Sequence, residues 1–477
     1  MNIVTILWIA LPFLLGFSSY LLPRIARFVS CSIALLSLGY AVQCLRATDS
    51  LTLNLLDDFG VTLIIDSLSG YFILTNALVT LAVVLYCLQQ PKSAFFYTQM
   101  MILHGSVNAV FICADWISLY VALEVIGIAA FLLITYPRSD RAIWVGLRYL
   151  FVSNTAMLFY LVGAVLVYKA NNSFTFTGLA NAPPEAIALI GLGLLTKGGI
   201  FISGLWLPLT HSESDTPVSA MLSGVVVKAG VFPLVRTALL VEDLTPLIGL
   251  FGIGTAFLGV IGAIAAQDTK RLLAFSTISQ LGFVLVAPVA AGFYALTHGL
   301  AKASLFLISG NLPSRQLTTL RQQGVPRLLM VFLAIAALSI SGCPLLAGFA
   351  AKSLTFKAIL PWQFNVLIVA AVGTAIAFAK LLFLPITQDE SGQFRWGLIG
   401  SIAILGGGII TLNFWTFNVY TIPEISKALL ILAVGWLLYW LIVRRHSWRL
   451  PRAAEQLEQI IGMMSIMLIV LFWFAVV

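Results

Sequence analysis

Apolar residues run along this chain in continuous blocks of about 20, separated by short polar segments. Up to sixteen such windows can be marked, at 3–22, 26–45, 66–88, 94–113, 115–136, 142–168, 185–209, 216–240, 246–266, 272–290, 292–311, 327–349, 363–386, 396–418, 424–443 and 457–477. The blocks show no alternation of period two, so they do not read as strands of an outer-membrane barrel. A helix satisfies its own backbone polar groups, which a lipid environment demands. The pattern predicts an all-α polytopic membrane protein of about fourteen, and up to sixteen, transmembrane helices. The longest polar stretches, Arg46–Asp58, Lys169–Pro184 and Arg444–Glu458, leave no room for a soluble domain.

Composition agrees. Of 477 residues 60% are hydrophobic and 9% charged, too few polar side chains to cover a soluble globule. The net charge of +8 does not point to nucleic acid, because the basic residues cluster at window ends rather than in a stripe with exposed aromatics. If the windows alternate in direction, one side receives Arg24, Arg27, Lys92, Arg138, Arg141, Arg148, Lys270, Arg271, Arg315, Arg321, Arg327, Arg395, Arg444, Arg445, Arg449 and Arg452. The other receives Arg46, Lys169, Lys352, Lys357 and Lys427, with Arg236 near its helix end. This bias makes the first side cytoplasmic, or its topological equivalent, and puts both termini outside. The run from Ile3 to Leu22 lacks a basic leader and a cleavage site, so it reads as a first membrane helix. The membrane itself, plasma or thylakoid-type inner membrane, is left open.

Five cysteines (Cys31, Cys44, Cys87, Cys113 and Cys343) lie far apart, with no CxxC or Cys/His cluster, and no nucleotide-binding glycine motif stands in a strand–turn–helix context. No metal or other cofactor is expected in this chain, nor a redox or hydrolytic site. Any redox chemistry would sit on partner subunits.

Charges inside the windows break the pattern. Glu124 sits in WISLYVALEVIGIAAFLLI, Lys197 in LGLLTKGGIFISGLWLP, Lys228 in MLSGVVVKAGVFPLVR, Lys302 in ALTHGLAKASLFLISG and Lys380 in TAIAFAKLLFLP. A charge at the bilayer centre costs at least about 2.5–3.5 kcal/mol, so five of them require partners, water or a function. All the arginines fall in loops or near window ends, and the mid-membrane bases are lysines. Arginine cannot give up its proton in a protein and lysine can, which fits groups that load and unload protons. His298 lies four residues before Lys302, on the same helix face. Lys380, six residues before Ile386 at its window end, also fits a snorkelling side chain. His211, in the polar HSESD segment, reads either as a loop residue or as the mouth of a proton path, whereas His104 and His446 read as ordinary.

Two windows contain breakers: Gly198, Gly199, Gly204 and Pro208 after Lys197, and Gly342, Pro344 and Gly348 in the window before Lys380. Interrupted spans at corresponding places in two halves point to discontinuous helices around a transport site.

At these residues the chain resembles the antiporter-like membrane subunits shared by respiratory complex I, membrane-bound hydrogenases and Mrp-type cation/proton antiporters, over about residues 60–385. Asp66-Ser67-Leu68-Ser69 is similar to the family's D-x-L-S helix start. Trp206-Leu207-Pro208, His211 and Thr216-Pro217-Val218-Ser219-Ala220 resemble WLP-x-A-H…TP-V-S-A, and Val227-Lys228-Ala229-Gly230-Val231 resembles V-K-x-G-V/I-Y. QDTKRLLAFSTISQLG (267–282) matches D-x-K-R-L-L-A-Y-S-S-I-x-Q-x-G. His298, Lys302-Ala303 and Leu305-Phe306-Leu307 match H-A-x-x-K-A-x-L-F-L, and Gly342, Pro344, Gly348-Phe349 and Lys352 match G-x-P-x-x-x-G-F-x-x-K.

The resemblance implies two inverted five-helix repeats, each with a half-channel and a discontinuous helix, and a hydrated mid-membrane axis that relays protons. Glu124 and Lys197 would form the key pair of the first half-channel, and Lys228 would link toward the second half. His298 with Lys302 would connect, and Lys380 would end the second channel. In this scheme charge on Glu124 holds Lys197 protonated, and weakening the pair releases the proton along the axis. Expected segments are N-terminal helices at 1–93, a first repeat at 94–245 (Glu124, Lys197, Lys228), a second at 246–390 (His298, Lys302, Lys380) and C-terminal helices at 391–477.

Two positions depart from the family. Tyr294 stands where members often carry a second histidine, so water or the phenol would serve there, and SESD replaces an Ala-Pro pair between His211 and Thr216. With no long amphipathic helix after the core, the length suits a D-type Mrp subunit or an M/N-type complex I subunit, not the L-type. The expected function is a proton-translocating integral membrane subunit of a hetero-oligomer, in proton or cation/proton antiport or within a proton-pumping NAD(P)H-quinone oxidoreductase. Expected partners are other membrane subunits, the lipid bilayer and protons, with Na+ as a candidate second ion and no nucleic acid. A subunit of an energy-coupled inorganic-carbon uptake system and a stand-alone secondary transporter are the alternatives.

Overall fold

The computed structural model describes residues 2–56, 60–387, 396–445 and 456–476. The charges Arg395, Arg449 and Arg452, and His446, lie outside these residues. Each apolar window holds a helix. Among the described residues, thirteen helices are long and apolar enough to cross a membrane. The remaining windows hold the Ala94–Val110, Thr269–Val286 and Arg327–Ser341 helices, the last followed after a break by Ala347–Lys357. The chain is a multi-pass membrane protein.

Helix starts follow local capping chemistry. Asp66 accepts a hydrogen bond from the Ser69 amide (2.9 Å), Asp115 from that of Ser118 (2.7 Å) and Asp268 from that of Arg271 (3.0 Å). Proline opens the helices at Pro184, Thr216, Thr245 and Pro361, where its missing N–H costs nothing.

Burial sorts the spans into centre and rim. Thr216–Leu240 and Pro288–Ser309 are buried except at their ends, whereas Asn2–Leu21, Ile422–Val443 and Leu457–Ala475 are largely exposed. The rim helices turn side chains such as Leu14, Phe17, Leu430 and Trp473 outward, as a surface against lipid requires. Small residues let the central helices approach closely. A Cβ on Gly282 would lie 2.4 Å from the Gly252 carbonyl oxygen, and one on Gly259 would lie 2.2 Å from the Ser279 nitrogen, so these positions join Thr245–Ala265 to Thr269–Val286.

The order helix, helix, helix, broken helix, helix occurs twice, from Ala94 to Leu240 and from Thr245 to Leu382. In each stretch the aspartate capping the second helix also pairs with a later extended residue, Asp115 with Thr175 and Asp268 with Gln316. The first break follows Lys197: Gly199 (φ +69°) and Phe201 (φ +50°) take left-handed backbone before the Leu207–Glu213 helix. The second follows Ser341, with Gly342 at φ +89° and Leu345 at φ +74°. Glycine is the residue that adopts this backbone without strain, so both breaks are set by sequence.

Three features differ from the hydropathy reading. The polar stretch after Arg46 enters an antiparallel hairpin, Leu51–Leu56 with Gly60–Ile65, which docks on the segment before the Trp116 helix through Ile64 N–H to Ile112 O (2.8 Å). Arg148, counted at a helix end, lies inside the Asp140–Asn171 helix with 6% of its surface exposed. Lys352, counted in an outer loop, is buried in the Ala347–Lys357 helix.

Candidate functional site

The two most buried spans carry Lys228, His298 and Lys302, so these groups lie in the centre of the bundle. A single π-helical turn, Leu222–Val226, precedes Lys228 and frees carbonyls from the regular ladder. The Lys228 ammonium donates to two of them, Ser223 O (3.3 Å) and Gly224 O (2.6 Å). Its Cε lies 3.6 Å from where a Cβ on Gly299 would sit, which packs the amine stem against the helix that carries His298 and Lys302. Lys302 donates to Leu273 O (3.0 Å) and to the Ser276 hydroxyl, and stands 5.3 Å from the Phe378 ring centre. Lys380, on the same helix as Phe378, donates to Ile264 O (2.9 Å) and Ala266 O, so its amine satisfies carbonyls at the end of the Thr245–Ala265 helix.

Lys197 sits at the last turn before the first break and donates to the Ser153 hydroxyl at 2.5 Å. A Cβ on Gly127 would fall 3.0 Å from its Nζ, and Glu124 is one turn earlier on that helix face. Glu124 and Lys197 therefore face each other without an ion pair among the described residues. The Glu124 Oε1 is buried with no hydrogen-bond partner among them.

The histidines divide. His104 is a satisfied core residue, bonded to Ser37 (2.8 Å), Thr80 (2.9 Å) and Asn108 (3.1 Å). His211 is not a loop residue: it lies in the Leu207–Glu213 helix, fully buried, its ring 6.1 Å from those of Trp206 and Phe306. Both nitrogens of His211, and both of His298, lack a hydrogen-bond partner among the described residues. His298 lines a small cavity, of about 10 Å³ and so with room for about one water, with Gln280, Tyr294, Thr297, Ser339 and Gly348. Tyr294, in the position of the family's second histidine, donates to Gln280 Oε1 (2.7 Å), and Gln280 donates to Thr374 (3.3 Å).

The SESD segment acquires a role that composition did not show. Glu213 pairs with Arg141 (3.3 Å) and Arg315 (3.8 Å), Arg315 also pairs with Asp268 (3.1 Å), and Asp215 pairs with Lys92. Lys270 donates to Ser214 O at 2.9 Å. These pairs tie the two helix stretches together at one end of the bundle. Lys352 is a buried base that charge counting placed in a loop: it donates to Ser341 O (3.2 Å) and lies 5.6 Å from the Phe283 ring centre. Its signal was present in the G-F-x-x-K match, but the break hid that the helix resumes.

A profile of the family described as NADH:quinone oxidoreductase/Mrp antiporter, transmembrane, matches residues 113–377. The chain is 28% identical over 425 residues to the D-type subunit of the Na(+)/H(+) antiporter of Alkalihalophilus pseudofirmus, covering 80% of this chain and 85% of that protein. It is 29% identical over 429 residues to the N-type subunit of the NADH-quinone oxidoreductase of Desulforudis audaxviator, covering 77% and 84%. Its fold is similar to a chain of the Mrp complex from Dietzia sp. (TM-score 0.78, 24% identity), covering 99% of this chain and 59% of that one. It is also similar to a chain of an archaeal membrane-bound sulfane sulfur reductase (TM-score 0.78, 22% identity), covering 92% and 99%.

Proposed function

The chain belongs to the NADH:quinone oxidoreductase/Mrp antiporter transmembrane family, and on that premise we propose that it is the proton-translocating subunit of a multi-subunit membrane complex, D-like or M/N-like in kind. One observation carries the reading. Lys197, Lys228, Lys302 and Lys380 are buried, and each is bonded to hydroxyls or carbonyls and to no carboxylate among the described residues. A buried lysine kept for structure needs a counter-charge. One held by carbonyls and hydroxyls keeps its partners whether it carries two or three protons, so it can pass one on.

The relay runs from the Glu124–Lys197 face through Lys228 to His298 and Lys302, and ends at Lys380. Each transfer breaks an N–H bond on the donor and forms one on the acceptor, directly or through water. Ser153 holds Lys197 at the break, and the Leu222–Val226 carbonyls hold Lys228 against Gly299. His298, with two free ring nitrogens beside a polar cavity, accepts on one while donating from the other. Tyr294 and His211 act as supports, one ordering the cavity wall and the other lying between the acidic turn and the lysines. The two five-helix stretches are inverted repeats, the termini lie outside, and membrane partner subunits complete the ion path, with Na+ as the second ion in the antiporter form.

The test is Lys197→Ala and Glu124→Gln in the complex purified from its native membrane and placed in proteoliposomes. Each is expected to lose proton or cation/proton exchange while the complex still assembles. Unchanged exchange in both variants would refute the relay, and exchange by this chain without partners would refute its assignment as a subunit.

A further inference from the structure

A second, small cavity, of about 10 Å³ and so with room for about one water, adjoins the second break. It is lined by Ser341 and Gly342 from the break, by Lys352 and Phe356 from the resumed helix, and by Glu424 and Lys427 from the Ile422–Val443 helix. That helix lies outside the stretch matched to the family, 113–377. The Arg327–Ser341 helix is about 22 Å long, so the cavity opens far from the end where Arg315 and Glu213 meet. Exposure rises along its lining: Lys352 is 6% exposed, and the side chains of Glu424 and Lys427 are 13% and 24% exposed.

We propose that Glu424, held in place by Lys427, is a proton-relay residue that exchanges a proton with Lys352 across this cavity and so gives the second half an opening at that end of the bundle. This rests on the reading of the chain as a proton carrier. The Lys427 ammonium pairs with Glu424 at 2.8 Å and is steadied over the Phe356 and Phe364 rings at 5.4 and 5.3 Å. Lys352 is fixed by Ser341 O. In the step, an N–H bond of the Lys352 ammonium breaks and an O–H bond forms on the Glu424 carboxylate, leaving a neutral amine and a carboxylic acid. The acid then gives its proton to water and returns to the carboxylate. Lys352 and Lys427 are the charged groups lining this cavity with Glu424, and Lys427 is the positioning residue.

The experiment compares Glu424→Gln, Glu424→Asp, Lys427→Met and Lys197→Ala in the whole complex in proteoliposomes, with assembly followed by co-purification. The proposal expects Glu424→Gln to lose exchange by about a hundredfold with assembly intact, and Glu424→Asp to recover most of it. Lys427→Met should slow exchange less than Glu424→Gln. Wild-type exchange in Glu424→Gln overturns the proposal. So does equal loss in Glu424→Asp and Glu424→Gln, which marks a structural ion pair. If Lys197→Ala fails to transport while Glu424→Gln does not change, the relay reading stands and this extension falls. If Lys197→Ala transports normally, the relay reading itself falls.

Discussion

The first break and the Lys228 helix cross at Gly230, and that contact sets the spacing of two relay lysines. A Cβ on Gly230 would lie 2.2 Å from the Gly198 nitrogen, 2.6 Å from its Cα and 2.7 Å from the Lys197 carbonyl carbon. Ordinary contact begins near 3.4 Å, so Gly230→Ala must push the two backbones apart by more than 1 Å. Neither side is a flexible side chain that could rotate away. Overpacking of this kind costs about 1–3 kcal/mol, and backbone against backbone puts it at the upper end. The displacement falls on Lys197 and on Lys228, two residues from Gly230. A misplacement of about 1 Å in a positioned group can cost about a hundredfold in rate. Gly230→Ala should therefore lower the thermal stability of the purified complex and abolish exchange in proteoliposomes. Gly39→Ala is the control, because a Cβ there meets nothing within 4 Å; it should be neutral or slightly stabilising in its helix. If Gly230→Ala melts and transports like wild type, the crossing is not what spaces the lysines.

Other expectations follow from single contacts. Asp66 forms a two-pronged pair with the buried Arg236 guanidinium, so Asp66→Asn strands that charge and should cost about 3 kcal/mol, seen as a lower melting temperature; no change would refute the pairing. Glu213→Gln removes the charge partner of Arg141 and leaves Arg315 to Asp268, but side chains there are 26–57% exposed, so stability should fall by less than about 1 kcal/mol and the difference should vanish in high salt. A large, salt-independent loss would mean that these pairs do more than tie the halves. Ser153→Ala removes the hydroxyl that holds Lys197 and should slow exchange, whereas Ser153→Thr keeps a hydroxyl and should retain it; equal rates in both would exclude a role for the bond.

Much of this molecule can be read from its sequence because lipid imposes simple rules. A helix must be apolar for about 20 residues, so the windows find the helices, and Asp66, Asp115 and Asp268 announce where three of them begin. Charged groups are conspicuous in such windows, which is why Glu124, Lys197, Lys228, Lys302 and Lys380 stand out. Both breaks are marked by glycines whose backbone only glycine readily adopts. What escaped depends on tertiary contact. Lys352 lies beyond a break, and hydropathy does not distinguish a resumed buried helix from a loop. The acidic turn at Glu213 and Asp215 acquires meaning only when Lys92, Arg141 and Arg315 converge on it from distant helices. Arg148 escaped because it lies eight residues into its helix, near enough to the end to count as a boundary charge, and hydropathy does not show the packing that buries it.

Buried lysines that carry protons, and not charge alone, are distinguished from fixed charges by Lys197→Arg. Arginine keeps the positive charge and hydrogen-bonding capacity but does not release its proton in a protein. In the assembled complex in proteoliposomes, a pH gradient should drive exchange in wild type and none above background in Lys197→Arg. Exchange at the wild-type rate in Lys197→Arg would mean that Lys197 supplies charge and passes no proton.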